Sequence, residues 1–334
     1  MSAVAPWIAA QCAQLQKTPG QALLLQGPSG LGQYALALEL ARAWLCEAPL
    51  PGGACGACAS CHAIDVRTHA DLHVLMPEVE MLALGWPLAE KAQAEIDDKK
   101  RKPSKEIRVD AMRDAIEFSQ RTSARGRSKV VLVYPAEQMN TITANALLKT
   151  LEEPPGAVRF VLASASAHQL LSTIRSRCLG HAMQWPDRAT SLDWLVAQGL
   201  ERSVALAFLR MSGDRPDDAL ARAQEGMPAE MWQQFPRAMQ QGNVSLVRDW
   251  APPMLLSALQ KLCHDAMVQH AGAEPRFFDA SALAPLRPAD WSALARWSAD
   301  LRAACRSVEH PFNPGLMQEA LVEQAKNALN SART

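Results

Sequence analysis

A short apolar run at 21–26 (QALLLQ) gives way at once to Gly27-Pro28-Ser29-Gly30-Leu31-Gly32 and then to a segment with helical spacing. Leu36, Leu40, Ala43 and Trp44 recur at i, i+4, i+7 and i+8, which makes one buried stripe of an amphipathic helix. A strand, a glycine loop and a helix in that order open a parallel α/β unit. Two more apolar runs continue it: VVLV at 130–133, of the continuous β-branched kind found in sheets covered on both faces, and RFVLA at 159–163. Between them Ala144, Leu147, Leu148 and Leu151 mark a helix that Pro154-Pro155 stops. From about residue 186 strand signals vanish and Ala-, Leu- and Trp-rich helical stripes follow, broken near Gly213–Pro216, Pro252-Pro253, Gly272–Pro275 and His310–Pro314. The expected domains are 1–185, α/β; 186–226, small and helical; and 227–334, larger and all-α.

A working phosphate loop reads G-x-x-x-x-G-K-[ST], with a Lys for the β/γ charge and a hydroxyl for magnesium. Here Gly27, Gly30 and Gly32 keep the shape, but Gln33 and Tyr34 stand at the Lys and hydroxyl positions. An ATPase of this design ends its next core strand on an Asp–Glu pair that serves the metal and the attacking water. This chain has Tyr134-Pro135 there. Four required groups are missing from two distant segments, which predicts a nucleotide fold without ATP hydrolysis and without tight ATP binding. The bland alternative for GPSGLG is a tight strand-to-helix turn.

Four cysteines cluster as Cys46, Cys55, Cys58 and Cys61 around the turn-prone Pro51-Gly52-Gly53-Ala54. Four thiolates close a tetrahedral zinc site with no open position, so the expected metal at 46–61 is a structural zinc. An iron–sulfur cluster is the rival, although its run continues x3-C-P where Cys61 is followed by HAIDV. His62 is a competing ligand, and Cys12, Cys178, Cys263 and Cys305 read as small buried hydrophobes. The opening residues lack a basic export signal and no apolar stretch approaches a membrane span, so a cytoplasmic protein with no membrane contact is expected.

Lys+Arg and Asp+Glu number 34 each, which argues against a stand-alone DNA binder held by a broad basic field. The charged run at 97–108 (DDKKRKPSKEIR), overlapping a 78–106 insertion of open role, reads as a solvated surface loop, with a nucleic-acid role as the alternative. No aromatic residues interleave with a basic strand face as a base-stacking platform requires. The tryptophans read as packing anchors.

GPSGLG, the cysteine cluster, NALLKTLEEPP at 145–155 and Ser176-Arg177-Cys178 occur in the order found in bacterial clamp-loader AAA+ subunits. The chain resembles that family over roughly 20–180, and its altered loop is similar to the delta-prime branch of DNA polymerase III rather than to the gamma/tau motors. The resemblance implies a RecA-like AAA+ domain of P-loop NTPase fold with a parallel sheet, then a helical lid and an all-α collar. It implies a stator in a hetero-pentameric ring with gamma/tau and delta subunits, acting on the sliding clamp and primer-template DNA through the complex. No catalysis is expected of the isolated chain within the polymerase III holoenzyme; the alternative is a gamma/tau-like hydrolysing motor.

The same resemblance implies that Arg177 serves as an arginine finger on the neighbour's ATP, against the plain reading of a surface Arg paired with a carboxylate. Arg175 is a weaker candidate. Ser164 falls near the family's first sensor position, and Asp217 stands where a motor places its sensor Arg. Asn145, Lys149 and Glu152 are candidates for coupling subunit contacts, with no role assigned.

Overall fold

The computed structural model describes residues 4–286, 290–308 and 313–331, so His310, Pro311 and Phe312 of the break at His310–Pro314 lie outside the described residues. Contacts divide the chain into two compact units, 1–190 and 191–334.

The first unit runs α1 (Pro6–Leu15), β1 (Ala22–Gln26), α2 (Gln33–Leu45), α3 (Ala59–Asp65), β2 (Leu72–Leu75), α4 (Glu78–Ala83), α5 (Glu90–Asp97), α6 (Val109–Gln120), β3 (Lys129–Val133), α7 (Thr141–Glu152), β4 (Val158–Ser164), α8 (Ser172–Arg175) and β5 (Leu179–Ala182). Its sheet has five strands in the order β2-β3-β4-β1-β5. Every pairing is parallel, with Leu24 beside Leu162, Val131 beside Phe160 and Leu25 beside His181. Such a sheet needs cover on both faces, and the strands read accordingly: all of Lys129–Val133 is buried. Phe160, Val131 and Val133 pack with Leu147 and Met112 of α7 and α6, while Val130 packs with Ala41 and Leu45 of α2. The expected α/β architecture is present, with β2 and β5 added to the three strands that the sequence marks.

Asn140 caps α7 by accepting from Thr143 N at 3.0 Å. The charged run at 97–108 is largely exposed, as expected of a solvated segment, with Arg101 as its anchor. Arg101 donates to both Glu78 (2.7 Å) and Glu95 (2.8 Å), and Ser104 N donates to Glu78 at 2.8 Å, so the charges fold the insertion onto itself.

The second unit is helical: α9 (Arg188–Ala197) leads into it, followed by α10 (Arg202–Met211), α11 (Pro216–Gln224), α12 (Ala229–Gln241), α13 (Pro252–His270), α14 (Ala280–Leu283), α15 (Trp291–Ala304) and α16 (Pro314–Leu329). One apolar cluster runs through it from Leu192 to Leu329. Trp232 stacks on Phe278 at 4.4 Å and Phe235 on Trp250 at 5.4 Å, which makes these tryptophans packing anchors. Trp185 and Trp291 are exposed, against that expectation. The buried Asp265 carboxylate accepts from the backbone N–H groups of Arg276, Phe277 and Phe278, which fixes the turn before α14. Among the described residues no helix is long and apolar enough to cross a membrane.

Candidate functional site

The loop after β1 has the backbone of a phosphate cradle. Gly32 takes a left-handed φ of 89° as the N-cap of α2, which a side chain would resist. A Cβ on Gly27 would come within 2.9 Å of Met183 Cβ, so that position must stay bare. Leu31 is fully buried, and its carbonyl accepts from the Trp7 indole at 3.2 Å.

The side chains then turn inward. Gln33 is only 4% exposed, and its Nε2 donates to the carbonyls of Gly27 (2.6 Å) and Pro28 (2.7 Å). An amide is thus tied back onto the loop where a Lys would reach out to phosphate. Tyr34 and Tyr134, from the head of α2 and the end of β3, meet with ring centroids 5.3 Å apart. The Tyr34 hydroxyl accepts from Trp86 Nε1 at 2.6 Å, and the Arg67 guanidinium lies 5.6 Å from the Trp86 ring. Burial pushes the Tyr34 phenol above its ordinary range, so it stays neutral. Two aromatic rings therefore stand where a magnesium hydroxyl and an acidic pair would be needed.

Beyond Pro135, the carboxylate of Glu137 accepts from Ala165 N at 3.0 Å and braces the ends of β3 and β4. Ser164 at the end of β4 is fully buried, with its hydroxyl accepting from Ser166 N at 3.1 Å. Asp217 sits in the first turn of α11, its carboxyl pushed up to about 7 by burial and then by Asp218.

Arg177 lies between α8 and β5. Its Nε donates to Glu152 at 2.8 Å, a second guanidinium nitrogen pairs with the same carboxylate, and Nη1 donates to Thr173 O at 2.9 Å. Glu152 is the last residue of α7, so NALLKTLEEPP and SRC, read separately in the sequence, meet through this pair. The side chain of Arg177 is 29% exposed and that of Glu152 49%, so water competes for the bond. Arg175, Asn145 and Lys149 are exposed.

Cys46 caps the C-terminal end of α2, Cys58 caps the N-terminal end of α3, and Cys61 lies in the first turn of α3. The sulfurs of Cys46, Cys55, Cys58 and Cys61 all lie within 4.8 Å of one another, with Cys46–Cys58 at 3.8 Å and Cys55–Cys61 at 4.0 Å. A tetrahedron with metal–sulfur bonds of about 2.3 Å needs sulfurs about 3.8 Å apart, so the four fit one metal ion. Backbone N–H groups point at the sulfurs, Cys55 N at Cys46 (3.2 Å) and Cys58 N at Cys55 (3.3 Å), as thiolate ligands require. The N–H groups of Ala57 and Cys58 lower the Cys55 thiol. His62 is exposed and outside the group. Cys12 and Cys263 are buried as expected, Cys178 is half-buried, and Cys305 is exposed, which corrects its reading as a core residue.

The family model described as DNA polymerase III, delta subunit matches residues 9–186. The delta-prime subunit of Pseudomonas aeruginosa is 36% identical over 286 residues, 79% of this chain and 80% of that protein. That of Escherichia coli is 32% identical over 75% of this chain and 71% of its own length. The chain belongs to the DNA polymerase III delta-prime family. The tau subunit of Escherichia coli is 34% identical over only 47% of this chain and 20% of its own length. A Thermotoga maritima gamma subunit-related protein shares the fold at a TM-score of 0.53, covering 97% of this chain and all of that one at 16% identity. The architecture is the α/β AAA+ fold, a RecA-like parallel sheet followed by helical regions. The signals that sequence reading missed here are Trp86, Trp7 and Glu137, all contacts between segments distant in the chain, whereas the carboxylate pairing of the plain reading of Arg177 is present, with Glu152 as the partner.

Proposed function

We infer that this delta-prime family member is a non-hydrolysing, stator-like subunit of the clamp loader. It sits with gamma/tau and delta subunits in a hetero-pentameric ring that places the sliding clamp on primer-template DNA. The observation that carries this is the cradle: Gln33 is bonded to the loop's own carbonyls, and Tyr34 and Tyr134 occupy the positions of the metal and water ligands. Without a cation, a magnesium ligand or a general base, the site has no means to stabilise a leaving phosphate. Its contribution to catalysis is made elsewhere, by Arg177 as a finger placed on the ATP of the adjacent subunit. Glu152 holds that guanidinium in one orientation until the neighbour's phosphates compete for it.

The metal at Cys46, Cys55, Cys58 and Cys61 is a structural zinc, supported by an all-sulfur donor set with no fifth group in the cluster among the described residues. It joins the end of α2 to the start of α3 and fixes the 46–61 loop. The helical segments 186–226 and 227–334 act as lid and collar, the latter holding the ring together.

Equilibrium dialysis of the isolated chain against labelled ATP with magnesium tests the central reading. No binding up to about millimolar ATP is expected. Micromolar binding with turnover would instead make the chain a gamma/tau-like motor.

A further inference from the structure

The N-terminal ends of the parallel strands, at the opposite edge of the sheet from the loop after β1, carry a second feature that the cradle does not explain. A cleft of about 370 Å³ opens there, lined by Gln21, Trp44, Arg127, Ser128 and Arg159 among others. It adjoins a second of about 240 Å³ that shares Arg127 and Ser128 and adds Arg121 and Lys129. Neither cleft has an Asp or Glu in its lining, although the chain as a whole carries as many acids as bases.

Arg121 of the second cleft pairs with Glu117, but Arg159 and Arg127 are not satisfied in the way that others in the chain are. Arg42, Arg101, Arg125 and Arg177 each pair with a carboxylate. Arg159 is half-buried on β4, its guanidinium carbon 4.6 Å from the centre of the Trp44 ring, and among the described residues no carboxylate or hydrogen-bond acceptor meets it. Arg127 donates only to the carbonyl of Glu47, at 2.8 Å. Desolvation alone acts on Arg159, lowering its pKa, as expected for a cation drawn out of water without a counter-charge. Stacking on Trp44 holds the planar group still and leaves its edge donors unused.

We propose that this cleft is a docking site for an acidic segment of a partner protein, whose carboxylates bond to the guanidinium forks of Arg159 and Arg127. Arginine forks match carboxylate and phosphate alike, so the surroundings decide between them. The Trp44 face is taken by Arg159, so the cleft has no free aromatic on which a nucleic-acid base could stack. Of the cleft cations, Arg121 is paired with Glu117 and Lys129 donates to the carbonyl of Phe118 at 2.7 Å, which leaves two arginines for an incoming anion, enough for a short acidic peptide but not for an extended phosphate backbone.

The test is fluorescence anisotropy on the full chain at low and moderate salt, with labelled hexaglutamate and labelled oligothymidylate as parallel probes. Hexaglutamate is expected to bind more tightly than oligothymidylate, to weaken as salt rises, and to lose at least about tenfold in affinity in both Arg159→Gln and Arg127→Gln. Arg113→Gln, outside the cleft, should bind as the unaltered chain does. Arg127 is exposed, so its variant folds even if loss of the Trp44 stack harms the other. The proposal is overturned if hexaglutamate does not bind at low salt, if both cleft variants bind it unchanged, or if oligothymidylate binds more tightly through the same two arginines.

Discussion

The cradle at the head of α2 and the turn that carries Arg177 belong to the same unit, yet their polar groups are satisfied in opposite ways. In the cradle, Gln33 is buried and bonded to backbone carbonyls, and Tyr34 is bonded to Trp86 and packed on Tyr134. Opening those contacts would leave buried donors and acceptors unpaired, at about 1–3 kcal/mol each. Arg177 has one carboxylate partner at a surface where water already competes, so exchanging Glu152 for another anion costs little. Buried polar groups that satisfy one another make fixed structure, whereas an exposed charge pair keeps a group available to a partner.

The sharpest way to break this contrast is Arg177→Ala in a loader reconstituted with gamma/tau and delta subunits. Clamp-stimulated ATP turnover at the adjacent site should fall by roughly 10³-fold or more. The thermal unfolding of the chain itself should barely move, within about 1 kcal/mol. Unchanged turnover would remove the finger.

Metal removal comes next, because α2 carries the cradle at one end and Cys46 at the other. Elemental analysis should find one zinc per chain, lost in Cys58→Ser. Metal-driven folding is worth on the order of 10 kcal/mol in small zinc peptides, so the first unit should lose several kcal/mol of unfolding free energy. Equal stability with and without a chelator would show that the cysteine clip holds nothing together.

Restoring the missing groups probes the cradle directly. Gln33→Lys combined with Tyr34→Thr should raise ATP affinity by about tenfold or less, measured by dialysis, because Tyr134-Pro135 still offers no carboxylate to metal or water. Hydrolysis by that variant alone would mean that the Tyr134 end is not the barrier. The smallest effect belongs to Glu152→Gln, which should cost under about 1 kcal/mol of stability and change the neighbour's turnover by a few-fold. A loss as large as that of Arg177→Ala would make Glu152 indispensable for placing the guanidinium.

Much of this organisation could be read along the chain. β1, β3 and β4 announce themselves as apolar runs because they are buried on both faces, and α2 and α7 as stripes because each has one buried side. β2 and β5 could not be read so, being four residues each. β5, Leu179–Ala182, is an edge strand with little buried surface, so it carries no hydrophobic pattern. The charged run DDKKRK is solvated as it reads, all but Arg101 being exposed; what the chain does not announce is that Arg101 finds Glu78, 23 residues away.

Residue chemistry alone determined that the phosphate loop lacks its cation and hydroxyl, that β3 ends without acids, and that four thiols stand at metal spacing. Those are properties of side-chain type and short separations, which local order preserves. Tertiary structure decided what replaces the missing groups: Trp86 on Tyr34 across 52 residues, Glu152 on Arg177 across 25, and two arginines without a carboxylate partner, Arg127 and Arg159, gathered at the N-terminal ends of the strands. Such contacts are set by how strands and helices stack, and no periodicity in the chain encodes which distant side chain will arrive.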